Sequence, residues 1–282
     1  MKVAVVGAGG AMGSTVCRTV VEQNDMTLVA AVDPKMAGID FYQMTGVKAR
    51  GIEVVGDVSV LPMLGVDVVV DFTNAEAARR NLAFFAENKI RCVVGTTGFS
   101  SDDIVGFQEV FRQKKVGAII ASNFSIGAVL MMKFAALAAG FFDSAEIVEM
   151  HHERKLDAPS GTAIETAKMI SDVRKRLGKG FLEDPTKRET IPGARGAHGG
   201  ENIHIHSLRT VGAVAHQEVI FGTLGQSLSL RHDSYERSSF MPGVVLALRE
   251  VFAIDSLKLG IDWIIQRELN DVFGGDSRRG ED

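Results

Sequence analysis

The chain has 282 residues, room for two modest domains or one large domain with an insertion at roughly 100–200 residues per domain. With 46% hydrophobic residues, 23% charged residues and only 6 prolines, it is neither a disordered tail nor a fibrous repeat. Lys and Arg number 31 against 35 Asp and Glu, and the net charge of -4 gives no reason to expect nucleic acid or an anionic membrane as partner.

The first half alternates two periods. Apolar runs of strand length recur at residues 3–6, 28–32, 66–72, 90–94 and 118–121, with helical patterns in most of the gaps. The clearest helix is 74–87, with Leu82, Phe84 and Phe85 on its apolar side. Strand runs without polar alternation are covered on both faces, which in β-α order means a doubly wound parallel sheet of Rossmann type. This half, residues 1–123, is the expected dinucleotide-binding domain. Cys17 and Cys92 fall inside a helical and a strand-like segment, so neither a disulfide framework nor a Cys-rich metal site is expected, and a reducing cytoplasm fits. With only Lys2 between Met1 and the first strand-like run, no secretory signal is expected.

Gly7, Ala8, Gly9, Gly10, Ala11, Met12 and Gly13 follow the first strand and open a helical stretch. Gly7, Gly10 and Gly13 make a G-x-x-G-x-x-G turn, one residue off the strict dinucleotide spacing. Such a turn lets backbone approach a diphosphate at a helix N-terminus, where a Cβ is expected to block it. Asp33 ends the second strand and suits the adenosine ribose hydroxyls; Lys35 beside it suits a 2′-phosphate, so NADH and NADPH both stay open. Gly95, Thr96, Thr97 and Gly98 follow a later strand, as do Ala121, Ser122, Asn123 and Phe124, both at strand ends where doubly wound sheets bind ligands.

Past residue 123 the pattern changes. The apolar stretch 124–142 carries Lys133, a charge costing roughly 2.5–3.5 kcal/mol on membrane insertion, so a buried helix is expected rather than a membrane span. A strand near 147–150, a helix after Gly161 and successive strands at 203–208, 214–221 and 227–231 read as an α+β domain over 124–240 with a mixed or antiparallel sheet, one face of which is open to another subunit. Residues 175–200 read as a long surface loop, 242–252 and 263–269 as segments returning to the first domain, and 274–282 as a disordered tail.

All seven histidines lie between His151 and His232. The run His151-His152-Glu153-Arg154-Lys155 is followed by Ser160-Gly161-Thr162, which opens a helix. Amide groups at Gly161 and Thr162 suit a carboxylate, Lys155 and Arg154 attract an anion, and a histidine beside them suits general acid chemistry near neutral pH. His204 and His206 at strand spacing share a face; without a third ligand at a recognisable spacing no metal site is assigned.

The 7–13 loop, Asp71-Phe72-Thr73, Gly95-Thr96-Thr97-Gly98-Phe99, Ala121-Ser122-Asn123-Phe124-Ser125 and above all His151-His152-Glu153-Arg154-Lys155-Leu156-Asp157-Ala158-Pro159-Ser160-Gly161-Thr162-Ala163 resemble the 4-hydroxy-tetrahydrodipicolinate reductase family over residues 2–265. The resemblance implies an NADH- or NADPH-dependent oxidoreductase of lysine and diaminopimelate biosynthesis. It places the cofactor along Gly7 to Met12 with Asp33 on its ribose, and the nicotinamide end against Gly95 to Thr97 and Ala121 to Phe124. It sets a cyclic dicarboxylate against His152, Lys155, Gly161 and Thr162. Hydride goes to ring C4, water leaves the 4-hydroxy precursor, and the resulting enamine takes a proton from His151, with Lys155 as donor and counter-charge. It also implies a homotetramer built through the second-domain sheet. Two rivals share the Rossmann half: a thiol-dependent semialdehyde dehydrogenase, which needs a nucleophilic cysteine, and a dinucleotide-sensing regulator, which needs no His-Lys set.

Overall fold

The structure, a computed structural model, describes residues 1–47, 49 and 52–274. The chain forms two compact units, Met1–Ser125 with Phe240–Asp282, and Ile126–Ser239. The first unit opens with β1 (Lys2–Val6), α1 (Ala11–Glu22), β2 (Thr27–Val32), a short α2 (Phe41–Thr45) and β3 (Val54–Val55). It continues through β4 (Val68–Asp71), α3 (Ala75–Glu87), β5 (Arg91–Val94), α4 (Ser101–Lys114) and β6 (Ala118–Ile120). Helix starts follow local chemistry. Asn74 caps α3 by accepting from the Ala77 N–H, and Ser100 with Asp103 forms a reciprocal capping box on α4. The strands are apolar and buried throughout their centres, with Leu82, Phe85 and Phe111 of the covering helices packed in the same core.

The second unit holds α5 (Ile126–Ala138), β7 (Ser144–His151), α6 (Gly161–Arg176), a two-residue β8 (Ala197–His198), β9 (His204–Arg209), β10 (Ala215–Thr223) and β11 (Gln226–Ser234). Its sheet runs β11-β10-β7-β9-β8 and is mixed: β7 pairs parallel with β9, and the other neighbours pair antiparallel. Ile147, Ile205, Val219 and Phe221 point to one face and pack with Ala135, Ala167 and Ile170 of the two helices. Buried Arg174 closes α6 by donating to the carbonyls of Ala139, Phe142 and Gly180 and by stacking on Phe181. The apolar stretch 124–142, expected as a buried helix, forms α5 over Ile126–Ala138 and is buried along one side. Ala128, Val129, Met131 and Ala135 are buried, whereas Phe134 and Leu137 are 41% and 68% exposed, because α5 packs only one side. Among the described residues no helix is long and apolar enough to cross a membrane.

The chain returns to the first unit through α7 (Met241–Glu250), β12 (Leu257–Leu259) and α8 (Asp262–Gly274). The strand β12 pairs parallel with β6 and completes a seven-stranded parallel sheet ordered β12-β6-β5-β4-β1-β2-β3. Of the tail expected at 274–282, Gly274 ends α8; the remainder lies outside the described residues.

Candidate active site

Along the first sheet the order reverses between β1 and β4, and the carboxyl ends of β2, β1, β4, β5 and β6 stand side by side. In an open α/β sheet this edge is where ligands bind. The structure therefore aligns Gly7 to Met12, Asp33, Gly95 to Thr97 and Ala121 to Phe124 on one edge. At the turn after β1, Gly7 has φ +80°, and a Cβ there would sit 2.5 Å from the Phe72 carbonyl oxygen. A Cβ on Gly13 would lie 2.0 Å from the Gly7 carbonyl, and one on Gly9 would lie 2.8 Å from Asp33 Oδ2. The chain's own close packing therefore demands glycine at 7, 9 and 13, in addition to the clearance expected for a diphosphate. Helix α1 has Gly10 at its N-cap, with no side-chain cap and no acidic residue in its first turn, so its positive end fits a bound anion.

Asp33 accepts from the Gly9 N–H at 3.0 Å and the Lys35 N–H at 2.9 Å, which holds its carboxylate against the loop. The Lys35 side chain is exposed. Gly95 lets the Phe72 ring lie across it, since a Cβ would fall 2.0 Å from that ring, and Phe72 packs on Phe124 with centroids 5.8 Å apart. Thr96 is buried, Thr97 and Ser122 are exposed, and Asn123 accepts from the Ser125 N–H.

The second unit gathers the other candidates where β7 ends and α6 begins. His151 is the last residue of β7; its Nδ1 meets Glu149 Oε2 at 2.6 Å. Glu149 is wholly buried and also accepts two bonds from Arg209, both at 2.9 Å, and the Ser160 N–H at 3.2 Å. Ser160 in turn caps α6 by accepting from the Ala163 N–H, with Gly161 exposed just beyond. Burial pushes the Glu149 carboxyl up, but Arg209, Ser207 and His151 more than offset this and hold it below its ordinary range. Burial lowers His151 as well; Glu149 opposes that shift, and Lys155 and Arg209 add to it. Lys155 Nζ binds both oxygens of Asp157 at 2.7 and 2.8 Å, and Arg209 donates to the Asp157 carbonyl. The Nδ1 atom of His152 is buried with no partner among the described residues.

His204 and His206 do share a face, within an ion-pair network. His206 meets Glu146 at 2.7 Å, while Arg195 bridges Glu146 and Asp184 and leaves His204 3.5 Å from Asp184. Both thiols are buried and unpaired in disulfides; burial pushes Cys17 up to about 12 and raises Cys92 as well, so neither is a nucleophile. The thiol-dependent rival fails on this point.

The dihydrodipicolinate reductase N-terminal family model matches residues 1–124, and the C-terminal model matches residues 127–260. The chain belongs to the dihydrodipicolinate reductase family. A 4-hydroxy-tetrahydrodipicolinate reductase of Desulfitobacterium hafniense is 45% identical over 264 residues, 93% of this chain and 97% of the relative. One of Halalkalibacterium halodurans is 46% identical over 267 residues, 94% and 100% of the two chains. A solved dipicolinate-bound dihydrodipicolinate reductase from Paenisporosarcina sp. TG-14 superposes with a TM-score of 0.80 at 40% identity, covering 94% of this chain and 99% of that one. An amine dehydrogenase of Mycobacterium smegmatis, 15% identical with a TM-score of 0.64, shares the fold.

Sequence reasoning gave no role to Glu149, Arg209 or Asp71 in this reductase fold. Strand alternation was signal enough for Glu149, two residues before His151 and on the same face of β7. No local signal marks Arg209, which lies 60 residues beyond Glu149 and faces His151 only through the β7–β9 register.

Proposed function

We infer that the chain is a 4-hydroxy-tetrahydrodipicolinate reductase in which the first unit holds the nicotinamide cofactor and the second binds substrate and supplies the proton. The reaction is NADH- or NADPH-dependent reduction of 4-hydroxy-tetrahydrodipicolinate, via dihydrodipicolinate, to tetrahydrodipicolinate in the diaminopimelate route to L-lysine. The observation that carries the proton step is the Glu149–His151–Arg209 arrangement beside the start of α6. Bound NADH or NADPH supplies the hydride. Gly7 to Met12 hold its diphosphate, Asp33 its ribose, and Gly95 to Thr97 with Ala121 to Phe124 its nicotinamide end.

In the second unit Glu149 engages Nδ1 of His151, so Nε2 is the ring nitrogen that gives a proton to the reduced substrate. Arg209 keeps Glu149 ionised, and that anion keeps the ring oriented. A cyclic dicarboxylate, the class of ligand dipicolinate represents in the Paenisporosarcina relative, binds at His152, Lys155, Gly161 and Thr162. Its negative charge competes with Asp157 for the Lys155 ammonium. The experiment is stoichiometric NADH oxidation with the cyclic substrate. NADH binding without turnover would leave the sensing regulator as the answer.

The helix-free face of the second sheet carries Leu208 and Ile220, 48% and 36% exposed. This face builds the homotetramer, checked by light scattering of the wild type and of Leu208→Asp, which should shift to smaller species. Two buried free thiols suit the reducing cytoplasm.

A further inference from the structure

Asp71 ends β4 in the middle of the first sheet, in register with Val6 of β1 on one side and Val94 of β5 on the other. It is wholly buried, and no salt bridge reaches it among the described residues. Its neighbours are all donors. Oδ1 accepts from the Thr73 N–H at 3.0 Å, Thr73 Oγ1 at 2.6 Å and Thr96 Oγ1 at 3.3 Å, and Oδ2 accepts from Asn81 Nδ2 at 2.7 Å. Thr96 Oγ1 also accepts from the Thr73 N–H at 3.0 Å, which closes the network.

A buried carboxylate without a cation is costly, and burial raises the group against the pull of Thr73, Asn81 and Thr96. What the carboxylate organises is the loop edge. Thr73 and the Phe72 carbonyl stand against Gly7, and the Phe72 ring lies over Gly95 and against Phe124. Thr96 belongs to the loop after β5. The tripeptide Asp71-Phe72-Thr73 therefore touches all three loops assigned to the dinucleotide, while the Asp71 side chain itself is sealed beneath them.

We propose that Asp71 is a positioning residue for the nicotinamide cofactor: by holding Thr73 and Thr96 together it fixes the spacing of the loops after β1, β4 and β5. The proposal rests on reading this edge as the dinucleotide site. It acts through hydrogen-bond geometry, not through charge on the ligand, which separates two substitutions. In Asp71→Asn one oxygen stays for the threonines, and the new amide faces Asn81, whose own amide can rotate to accept. In Asp71→Ala the threonine and asparagine donors lose their acceptor.

NADH titrated by its fluorescence gives the first readout. Asp71→Ala should weaken NADH roughly tenfold or more, and Asp71→Asn should stay within about threefold of wild type. Inhibition by dipicolinate at saturating NADH should stay within about twofold for both variants, and KM for NADH should rise more than kcat falls. Wild-type NADH affinity in Asp71→Ala overturns the proposal, and so does an equal loss of NADH and dipicolinate, which marks general damage. If Asp71→Ala does not fold, Asn81→Ala decides. It lies on α3, away from the ligand edge, and frees only Oδ2, so NADH should weaken about threefold, and unchanged affinity refutes the assignment. A wild-type chain that binds no NADH would instead overturn the dinucleotide reading itself.

Discussion

The two units present their ligand groups in different ways. In the first, the candidate contacts are mostly backbone, at a helix start and at strand ends, and the side chains work beneath them. Gly13 lets α1 approach the turn, Phe72 fills the space above Gly95, and Asp71 ties the loops from below. In the second, the candidate groups are side chains brought together from β7, β9 and the α6 cap, with one buried carboxylate shared among them. A site of backbone groups tolerates changes on its surface and fails when its packing moves. A site of side chains fails when one group is removed.

His151→Ala sharpens that contrast most. Loss of a proton donor costs about 10²–10⁴-fold in kcat, and NADH binding, a property of the other unit, should be nearly untouched. Steady-state kinetics with an NADH titration checks both; a variant keeping more than about half of wild-type kcat would sink the assignment.

Lys155→Ala should come next. Loss of a charge-assisted contact of about 1.5–3 kcal/mol predicts roughly a ten- to hundredfold fall in kcat/KM, with KM raised and kcat lowered together. A change confined to NADH affinity would move Lys155 to the cofactor.

Gly13→Ala tests the first unit. The added Cβ meets backbone at 2.0 Å, and because overpacking costs about 1–3 kcal/mol, a lower Tm and weaker NADH binding should appear together. An unchanged Tm would show that the turn yields easily.

Glu149→Gln probes the shared carboxylate through pH. As the proposed proton donor His151 must be protonated, so kcat/KM should fall as pH rises through its value, which lies below the ordinary imidazole range. Glu149 raises that value, whereas Lys155, Arg209 and burial lower it. Removing the anion therefore moves the limb to lower pH, and a pH profile of kcat/KM that stays in place would contradict the role given to Glu149.

The smallest effect concerns cofactor choice. In the proposed cofactor site Asp33 should disfavour a 2′-phosphate and Lys35 favour it, and charge effects of roughly 0.2–1 kcal/mol should keep the NADH-to-NADPH ratio of kcat/KM within about tenfold. Lys35→Ala should shift it toward NADH and Asp33→Ala toward NADPH. A wild-type preference above about a hundredfold would place the control on another residue.

The amino-acid order by itself determined what short-range physics encodes. Runs of Val and Ile gave five strands of the parallel sheet, Asn74 and Ser160 marked helix starts, and the spacing of Gly7, Gly10 and Gly13 marked the turn after β1. Short elements escaped: β3 has two residues, and β12 is recognisable as a strand only because Leu257 and Leu259 dock beside β6. The outward side of α5 escaped too, since an apolar run does not say which of its faces finds a partner. Tertiary structure alone decided that Arg209 stands opposite His151 and that Thr96 shares the Asp71 carboxylate. Those pairings depend on strand register and on loops meeting at a sheet edge, and neither the long 177–203 connection nor the β4–β5 crossover encodes a register in its local sequence.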